Sequence, residues 1–502
     1  MNKSLIALFS VAALSAAIAV LQDVKAYEIF ASREEEYGKV VMIVGDYLDI
    51  KDISRMEHLY RLAGDSRVAL INNRQPGKAD AAKSKLIIGS GKRLELDADM
   101  VLGDRNDINR IKDRNANSEY KKYIGYIGDA INKKDGTACY IGNADAEKKN
   151  RSSMLIAADS SGEIDSGETE DVIMEDAAFP GGKRTDYDRL AELYKQYLPA
   201  SSFIVIETGD MERLEAFKGS MSEEAYQSYK QDVLERIDGF VKEIVSYGGL
   251  KTLVFISTYP SSSNAEAGNK LTPIVVYEEK EGVLYSNNTR RSGIILNTDI
   301  ADYVLYKQGY LNECAVEELD TEASLNALVD MNMSILRTSV LRAPVLTYYA
   351  VSVIAALGLL FAAAVFFGKK AGHFWFGFGI IIAYTMLSIP IAFLLIPASY
   401  TDWGPVEYAV LTAAAAFVLS ILLHLTLRNR LKVILAICLL LQAGLAADIL
   451  TGGELIKKSV LGYDPIIGAR FYGIGNEYAG MFIGISLIVF GCISELRGRR
   501  CG

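Results

Sequence analysis

The sequence predicts an α/β domain built on a mostly parallel sheet, followed by a multi-span helical membrane domain. Short apolar runs alternate with helical patterns between about Tyr27 and Ala343. Such alternation suits a buried sheet with helices on both faces. After Val345, uncharged stretches of the length needed to cross a hydrocarbon core recur. Charge divides the chain at the same place. The net charge is −9 over 502 residues, yet the segment from Pro344 onward has eleven Lys/Arg against seven Asp/Glu, giving +4 there and −13 before it. That division is not one soluble globule, and an acidic chain is no general nucleic-acid binder. Three histidines in all argue against a His-rich metal centre.

The elements follow in order. Residues 1–26 carry Lys3, an apolar run from Leu5 to Leu21 and the small-residue ending Val24-Lys25-Ala26, the pattern of a secretory signal peptide or an uncleaved anchor. The domain from 27 to 343 is therefore expected outside the cytoplasm. Apolar runs at 40–44, 68–71, 86–88, 154–156, 203–206 and 253–256 read as buried strands. Helices are expected around Ile53, Met56, Leu59, Tyr60 and Leu62, over 185–198 with Thr185 as cap, and over 222–247. The acidic, Gly-rich stretch 160–182 reads as a surface excursion. A helix from 316 to 341, with a stripe of Leu325, Leu328, Val329, Leu336 and Val340, links to the second domain, 344–502.

Five spans are expected there, at 345–367, 374–397, 406–427, 431–450 and 478–493. Basic clusters at Lys369-Lys370, at Arg428, Arg430 and Lys432, and at Arg497, Arg499 and Arg500 occupy alternate gaps, which orients the large acidic domain to the outside. The chain stops nine residues after the fifth span, which reads as an end within a longer protein. Arg470, Asn476 and Glu477 sit in or beside a Gly-rich outer loop and form a candidate polar site at membrane depth. Asp402, Trp403 and Glu407, in a short outer gap, border the same space on this reading. Cys139 and Cys314 read as unrelated thiols, with a bridge as the alternative.

In a parallel α/β sheet, ligands bind beyond the carboxyl ends of the strands. Arg74, Lys92, Arg93, Arg290 and Arg291 fall in such loops and make a candidate anion-binding set. Gly89-Ser90-Gly91 offers backbone amides to the same anion. The alternative is ordinary solvated charge paired with the abundant carboxylates. His58 lies on a helix stripe and reads as a packed residue.

The order of these parts resembles the alkaline phosphatase superfamily, and more closely the alkaline-phosphatase-like outer domain of polytopic membrane proteins from Gram-positive bacteria. The resembling pieces are Val-Val-Met-Ile-Val-Gly-Asp at 40–46, Leu-Ile-Ile-Gly-Ser-Gly-Lys-Arg at 86–93, Ile-Glu-Thr-Gly-Asp at 206–210 and Leu-Thr-Pro at 271–273. Thr-Arg-Arg at 289–291, Asn-Thr-Asp-Ile-Ala at 297–301 and the run Gly468 to Glu477 complete them. The resemblance implies a three-layer α/β/α sandwich and a site with two metal ions and a hydroxyl nucleophile. It implies Asp46, Asp210 and Asp299 as metal ligands, with Ser90 or Ser84 as nucleophile. This chain departs from the pattern. Leu214 stands where the Asp-x-x-x-His form has its histidine, Thr258-Tyr259 replaces an Asp-His pair, and Ile87 aligns with the nucleophile.

The leading expectation is a non-catalytic outer domain, a pseudoenzyme without a cofactor. It would recognise an anionic cell-envelope lipid or glycan, or support another membrane protein, an envelope enzyme or transporter. The alternatives are a phosphotransferase or hydrolase dependent on zinc, manganese or magnesium, acting on envelope phosphoesters, and a transporter.

Overall fold

The computed structural model describes residues 38–97, 100, 106–321, 325–367, 373–398 and 402–501; the signal-like segment 1–26 and Lys369-Lys370 lie outside the described residues. Residues 39–502 form one compact unit.

The strands, in chain order, are β1 (Val40–Val44), β2 (Ser66–Asn72), β3 (Ala138–Gly142), β4 (Ser166–Glu168), β5 (Ile173–Glu175), β6 (Lys183–Thr185) and β7 (Phe203–Glu207). They continue with β8 (Thr252–Ile256), β9 (Leu271–Tyr277), β10 (Gly282–Ser286), β11 (Arg291–Ser292), β12 (Ile294–Leu296) and β13 (Val316–Leu319). All but the β5–β6 hairpin join one sheet, in the order β11-β10-β2-β9-β8-β1-β7-β3-β4, with β12 beside β2 and β13 beside β10. Strand β1 runs parallel to β7 and β8, β3 to β7 and β4, and β2 to β10 and β12. Strand β9 is antiparallel between β2 and β8. The sheet is thus mixed but mostly parallel.

Alternation along β1 explains the three layers. Val41 and Ile43 enter one core with Leu190 and Tyr194 of α2 (Tyr187–Tyr197), Leu214 of α3 (Asp210–Phe217) and Ile237 of α4 (Glu223–Tyr247). Val40, Met42 and Val44 enter the other, with Leu86 and Ile88 of α1 (Ala81–Ser90) and with Tyr303 and Val304 of Ile300–Lys307. Each face of the strand is covered, so the run is apolar throughout.

Several expectations need correction. Residues 86–88 are not a strand; they lie inside the helix Ala81–Ser90. Asp80 caps its start by accepting from the Lys83 amide, and Gly91 ends it in the left-handed conformation at φ 63°. Almost every residue of that helix is buried, including both lysines, so no amphipathic period was there to be read. Residues 154–156 belong to a one-turn helix, Met154–Ala157. The excursion 160–182 contains β4, which extends the sheet edge. Asp186, not Thr185, caps α2, and Ser222, the first residue of the expected 222–247 helix, is the cap of α4. The linking segment opens as β13, antiparallel to β10, before any helix starts. Cys139 and Cys314 are both free.

Among the described residues, five helices are long and apolar enough to cross a membrane. They are α5 (Leu325–Phe367), α6 (His373–Leu395), α7 (Pro405–Leu427), α8 (Arg430–Leu450) and α9 (Asn476–Cys501). Helix α5 carries Pro344 internally and runs without a break through the expected boundary at 343/344. Its N-terminal half packs Leu325, Leu328 and Ile335 into the α/β core, while Val340 of the expected stripe is exposed. Buried polar contacts join the spans, such as Ser388 to Ser420 at 3.1 Å, and Gln442 donates to Ser486 at 2.7 Å.

The segment between α8 and α9 returns to the α/β domain. Ile466 and Phe471 join the first core. Asn72, at the end of β2, donates to the carbonyls of Pro465 (2.6 Å) and Ile466 (3.1 Å). Ser339 of α5 donates to Asp464 at 2.5 Å.

Candidate functional site

Two charge clusters form beyond the carboxyl ends of the parallel strands, the edge where such sheets place ligands. The first lies over β1 and β7. In register, Val44 is opposite Glu207, the last residue of β7. Asp46 follows two residues beyond β1, and Glu212 lies in the first turn of α3. These three carboxylates surround one ammonium. Lys85 Nζ is 2.9 Å from Asp46 Oδ2, 3.0 Å from Glu207 Oε1 and 3.7 Å from Glu212 Oε2, and it donates to Ser152 at 2.9 Å. The Lys85 side chain is fully buried.

The remaining oxygens are also engaged. Asp46 Oδ1 accepts from the Thr258 amide at 2.7 Å and its hydroxyl at 2.6 Å. Glu207 accepts from Ser153 at 2.5 Å and from the Tyr140 hydroxyl. Glu212 Oε1 accepts from Asn150 at 2.6 Å and Tyr47 at 3.2 Å. Asp46 Oδ2 and Glu212 Oε2 have no donor among the described residues besides the Lys85 ammonium, which therefore balances them. Burial by itself would lower the Lys85 pKa, but Asp46, Glu207 and Glu212 outweigh it and hold it well above the usual lysine value. Burial pushes Glu212 up to about 7, assisted by Asp46 and Glu207 and opposed by Lys85. The void between Asp46, Glu207 and Glu212 is about 10 Å³, room for at most one water.

The metal-ligand triad implied by the resemblance does not assemble. Asp210 turns to Arg213 Nη1 at 2.9 Å and accepts from the Thr185 amide at 2.7 Å. Arg213 is in turn held by the carbonyls of Asn143 and Asp145. Leu214, in the expected histidine position, is core. Asp299 sits beyond β12, where it accepts from Ser286 (2.7 Å), the Leu296 amide (2.9 Å) and Asn288 (2.6 Å). Among the described residues, no three His, Cys, Asp or Glu side chains are grouped to hold a metal ion. Where carboxylates do converge, at Asp46, Glu207 and Glu212, an internal ammonium stands at their centre. The residues of this cluster therefore do not fit a metal ion.

The expected nucleophiles lie elsewhere. Ser84 contacts Asn73 at 3.4 Å, and Ser90 closes its own helix end through the Ile87 and Lys92 carbonyls. Ser152, Ser153 and Thr258 supply the aliphatic hydroxyls that touch the acidic cluster, beside the Tyr47 and Tyr140 phenols, and sequence reading did not single out the two serines. His58, partly exposed, bonds Asp238 of α4 at 2.8 Å.

The second cluster lies beyond β2 and β12, against the segment between α8 and α9. Arg74, Lys92, Arg93 and Arg470 line one open cavity of about 640 Å³ together with Tyr120, Asn288, Tyr463 and Tyr472. No carboxylate lines it among the described residues. Thus four cations expected at two separate sites share one cavity. Arg74 donates to the Gly468 carbonyl at 2.7 Å, which ties the loop to the α/β domain. Arg470 reaches Tyr463 at 3.3 Å and Asn476 at 3.4 Å. Lys92 lies 4.9 Å from the Tyr123 ring centre. Arg93 Nε is buried without a hydrogen-bond partner, and burial, then Arg74, lowers the Arg93 pKa.

The other expected residues play different parts. Arg290 stacks over Tyr472 at 4.6 Å on the cavity wall. Arg291 is buried and donates to the Phe471 carbonyl at 2.7 Å, so it holds the wall from behind. Burial lowers its pKa to about 10. Glu477 pairs with Arg342 at 2.6 Å rather than with Arg470. Asp402 pairs with Arg337 and does not line the cavity. The Gly89-Ser90-Gly91 amides are not free for an anion. Gly89 is helical and packed so tightly that a Cβ would lie 2.1 Å from the Leu155 carbonyl, and the Gly91 amide bonds Ile87.

No family model and no curated protein matches this chain. Several solved structures are similar to it at low identity. Lipoteichoic acid synthase LtaP from Listeria monocytogenes matches at 9% identity and TM-score 0.35, over 58% of this chain and 75% of that one. Alkaline phosphatase from the Antarctic bacterium TAB5 matches at 10% and 0.33, over 55% and 100%. The integral membrane protein lipooligosaccharide phosphoethanolamine transferase A from Neisseria meningitidis matches at 10% and 0.31, over 53% and 54%. At these values no activity is carried over to this chain.

Proposed function

We propose that this protein is a membrane-embedded recognition protein whose α/β domain, outside the cytoplasm, grips an anionic group of a cell-envelope lipid or glycan without catalysis. One observation carries the reading. Arg74, Lys92, Arg93 and Arg470 line an open cavity with no carboxylate among its described lining residues. Like charges held together repel one another, and solvated surface cations ordinarily find acidic neighbours. An anion removes that repulsion, and Arg forks suit phosphate and carboxylate. The cavity includes part of the segment between two spans, so an anion there is held by the α/β and membrane parts together. A group at the membrane surface is then within reach. Three tyrosines on the wall add apolar and hydroxyl surface suited to a sugar or glycerol.

The competing enzyme reading needs a metal ion or nucleophile that the acidic cluster, centred on Lys85, does not favour. The transporter reading rested on Arg470 with Glu477, and Glu477 is neutralised by Arg342.

The test is titration of glycerol phosphate polymer against an uncharged glycan of similar length, using the full chain in phosphatidylcholine nanodiscs. The charged polymer binds and the neutral one does not. Lys92→Ala with Arg93→Ala weakens binding roughly 10- to 100-fold, the scale of charge-assisted hydrogen bonds. Equal binding of both polymers, or unchanged affinity in the double variant, would refute the proposal. Arg291→Ala is a poor substitute, because its loss releases the Phe471 wall.

A further inference from the structure

We infer that the Lys85 ammonium is the permanent cation of the Asp46–Glu207–Glu212 cluster, doing in covalent form what a divalent ion would do if these carboxylates were metal ligands. The argument starts from charge. Three carboxylates from two strand ends and a helix start cannot share a buried point without a cation. A hard divalent ion would be held there by several carboxylate and neutral oxygens. This chain supplies one positive charge from the middle of the helix Ala81–Ser90 instead, within 3.0 Å of two carboxylates and 3.7 Å of the third.

The surroundings are matched to an ammonium. Lys85 is flanked by the neutral Ser152 hydroxyl at 2.9 Å. Tyr140, Ser153, Thr258, Asn150 and Tyr47 donate to the carboxylates from the other side. Those donors take up much of the acceptor capacity that would otherwise face a second cation. The void of about 10 Å³ has no room for an ion carrying its own water shell. The cation also cannot dissociate. The edge of β1 and β7, the helix Ala81–Ser90 and the start of α3 are therefore cross-linked irrespective of metal supply.

This predicts a protein indifferent to chelators and a variant that is not. Full-length wild type in detergent should hold well under one divalent ion per chain by elemental analysis. Its melting temperature, read by circular dichroism, should move by less than about 1 °C with EDTA or with 1 mM Mn²⁺, since a ligand shifts stability only through binding to the native state. Lys85→Met keeps side-chain length and removes the charge. It should melt roughly 5–15 °C lower, as expected for a buried carboxylate set losing its partner. Mn²⁺ should restore part of that loss. Lys85→Met combined with Asp46→Asn and Glu207→Gln should recover stability and lose the Mn²⁺ response. Stoichiometric metal in wild type with an EDTA-dependent melting point would overturn the inference. So would a Lys85→Met variant that melts like wild type. Should Lys85→Met not fold, the wild-type metal content and EDTA response still decide between the two outcomes.

Discussion

The two charged regions on the sheet edge differ in how their charges are matched. Over β1 and β7, opposite charges meet in a closed space, where each Asp46, Glu207 and Glu212 carboxylate has a donor or an ammonium within the chain. Over β2 and β12, four like charges line an open cavity of about 640 Å³, and Arg93 Nε is left unpaired. In the first arrangement every carboxylate has a partner within the chain, whereas in the second no carboxylate lines the cavity among the described residues. A fold that places ligands at this edge therefore has its acidic end closed by its own lysine and its basic end open beside the membrane segment.

Substitutions can break this contrast. The largest effect is expected from removing a partner of Lys85. Asp46→Ala or Glu207→Ala removes a contact to Lys85 and leaves unsatisfied the buried donors that bonded it, Thr258 or Ser153 and Tyr140, and should lower unfolding free energy by about 1–3 kcal/mol, measured by chemical denaturation. Arg93→Ala should leave stability unchanged or raise it slightly, because it relieves repulsion with Arg74. Next in size is ligand affinity. Raising salt from 50 to 500 mM should weaken anion binding several-fold while leaving the melting point nearly unmoved, since exposed charges are screened and buried pairs are not.

A smaller effect concerns pH. Glu212 has a folded-state pKa near 7, raised chiefly by burial. A raised carboxyl pKa means the folded state holds its proton more tightly than the unfolded one. Stability should therefore fall as pH rises from the usual carboxyl value through about 7, and the loss should be complete above it. Glu212→Gln should be more stable than wild type at pH 8 and equal to it near pH 4, by melting temperature. A difference of the same size at both values would refute this assignment. The smallest effect is expected at Arg290, whose contact is a stack on Tyr472 at 4.6 Å. Arg290→Lys should cost about twofold in anion affinity and nothing measurable in stability.

Much of this fold was legible in the sequence, for reasons that also mark where reading failed. Runs such as Val40–Val44 are apolar without interruption and the five spans nearly so, as burial on both faces of a sheet or in lipid requires. The helix Ala81–Ser90 was misread because it too is buried nearly all round, so its Leu86-Ile87-Ile88 segment carries no period. Strand β3 was missed because Ala138, Cys139 and Gly142 make a weak apolar signal. For the site, the basic residues were found individually, since Arg in strand-end loops stands out. That Arg470, some 380 positions later, meets Arg93 follows only from the docking of Ile466 and Phe471 into the α/β core. Lys85 was overlooked for the same cause as its helix. As a strand-flanking lysine it reads as solvated, whereas in a buried helix a lysine must have carboxylates to meet. Arg213, three residues after Asp210 and paired with it, and Leu214 in the histidine position are the local signals against a metal ligand.

The most direct test of the contrast is the affinity of the full chain for glycerol 1-phosphate in phosphatidylcholine nanodiscs, by titration calorimetry, for wild type and Arg93→Ala. Saturable one-site binding by wild type, weakened at least about tenfold in the variant, is the predicted result. No saturable binding by wild type, or the same affinity in both proteins, would contradict it.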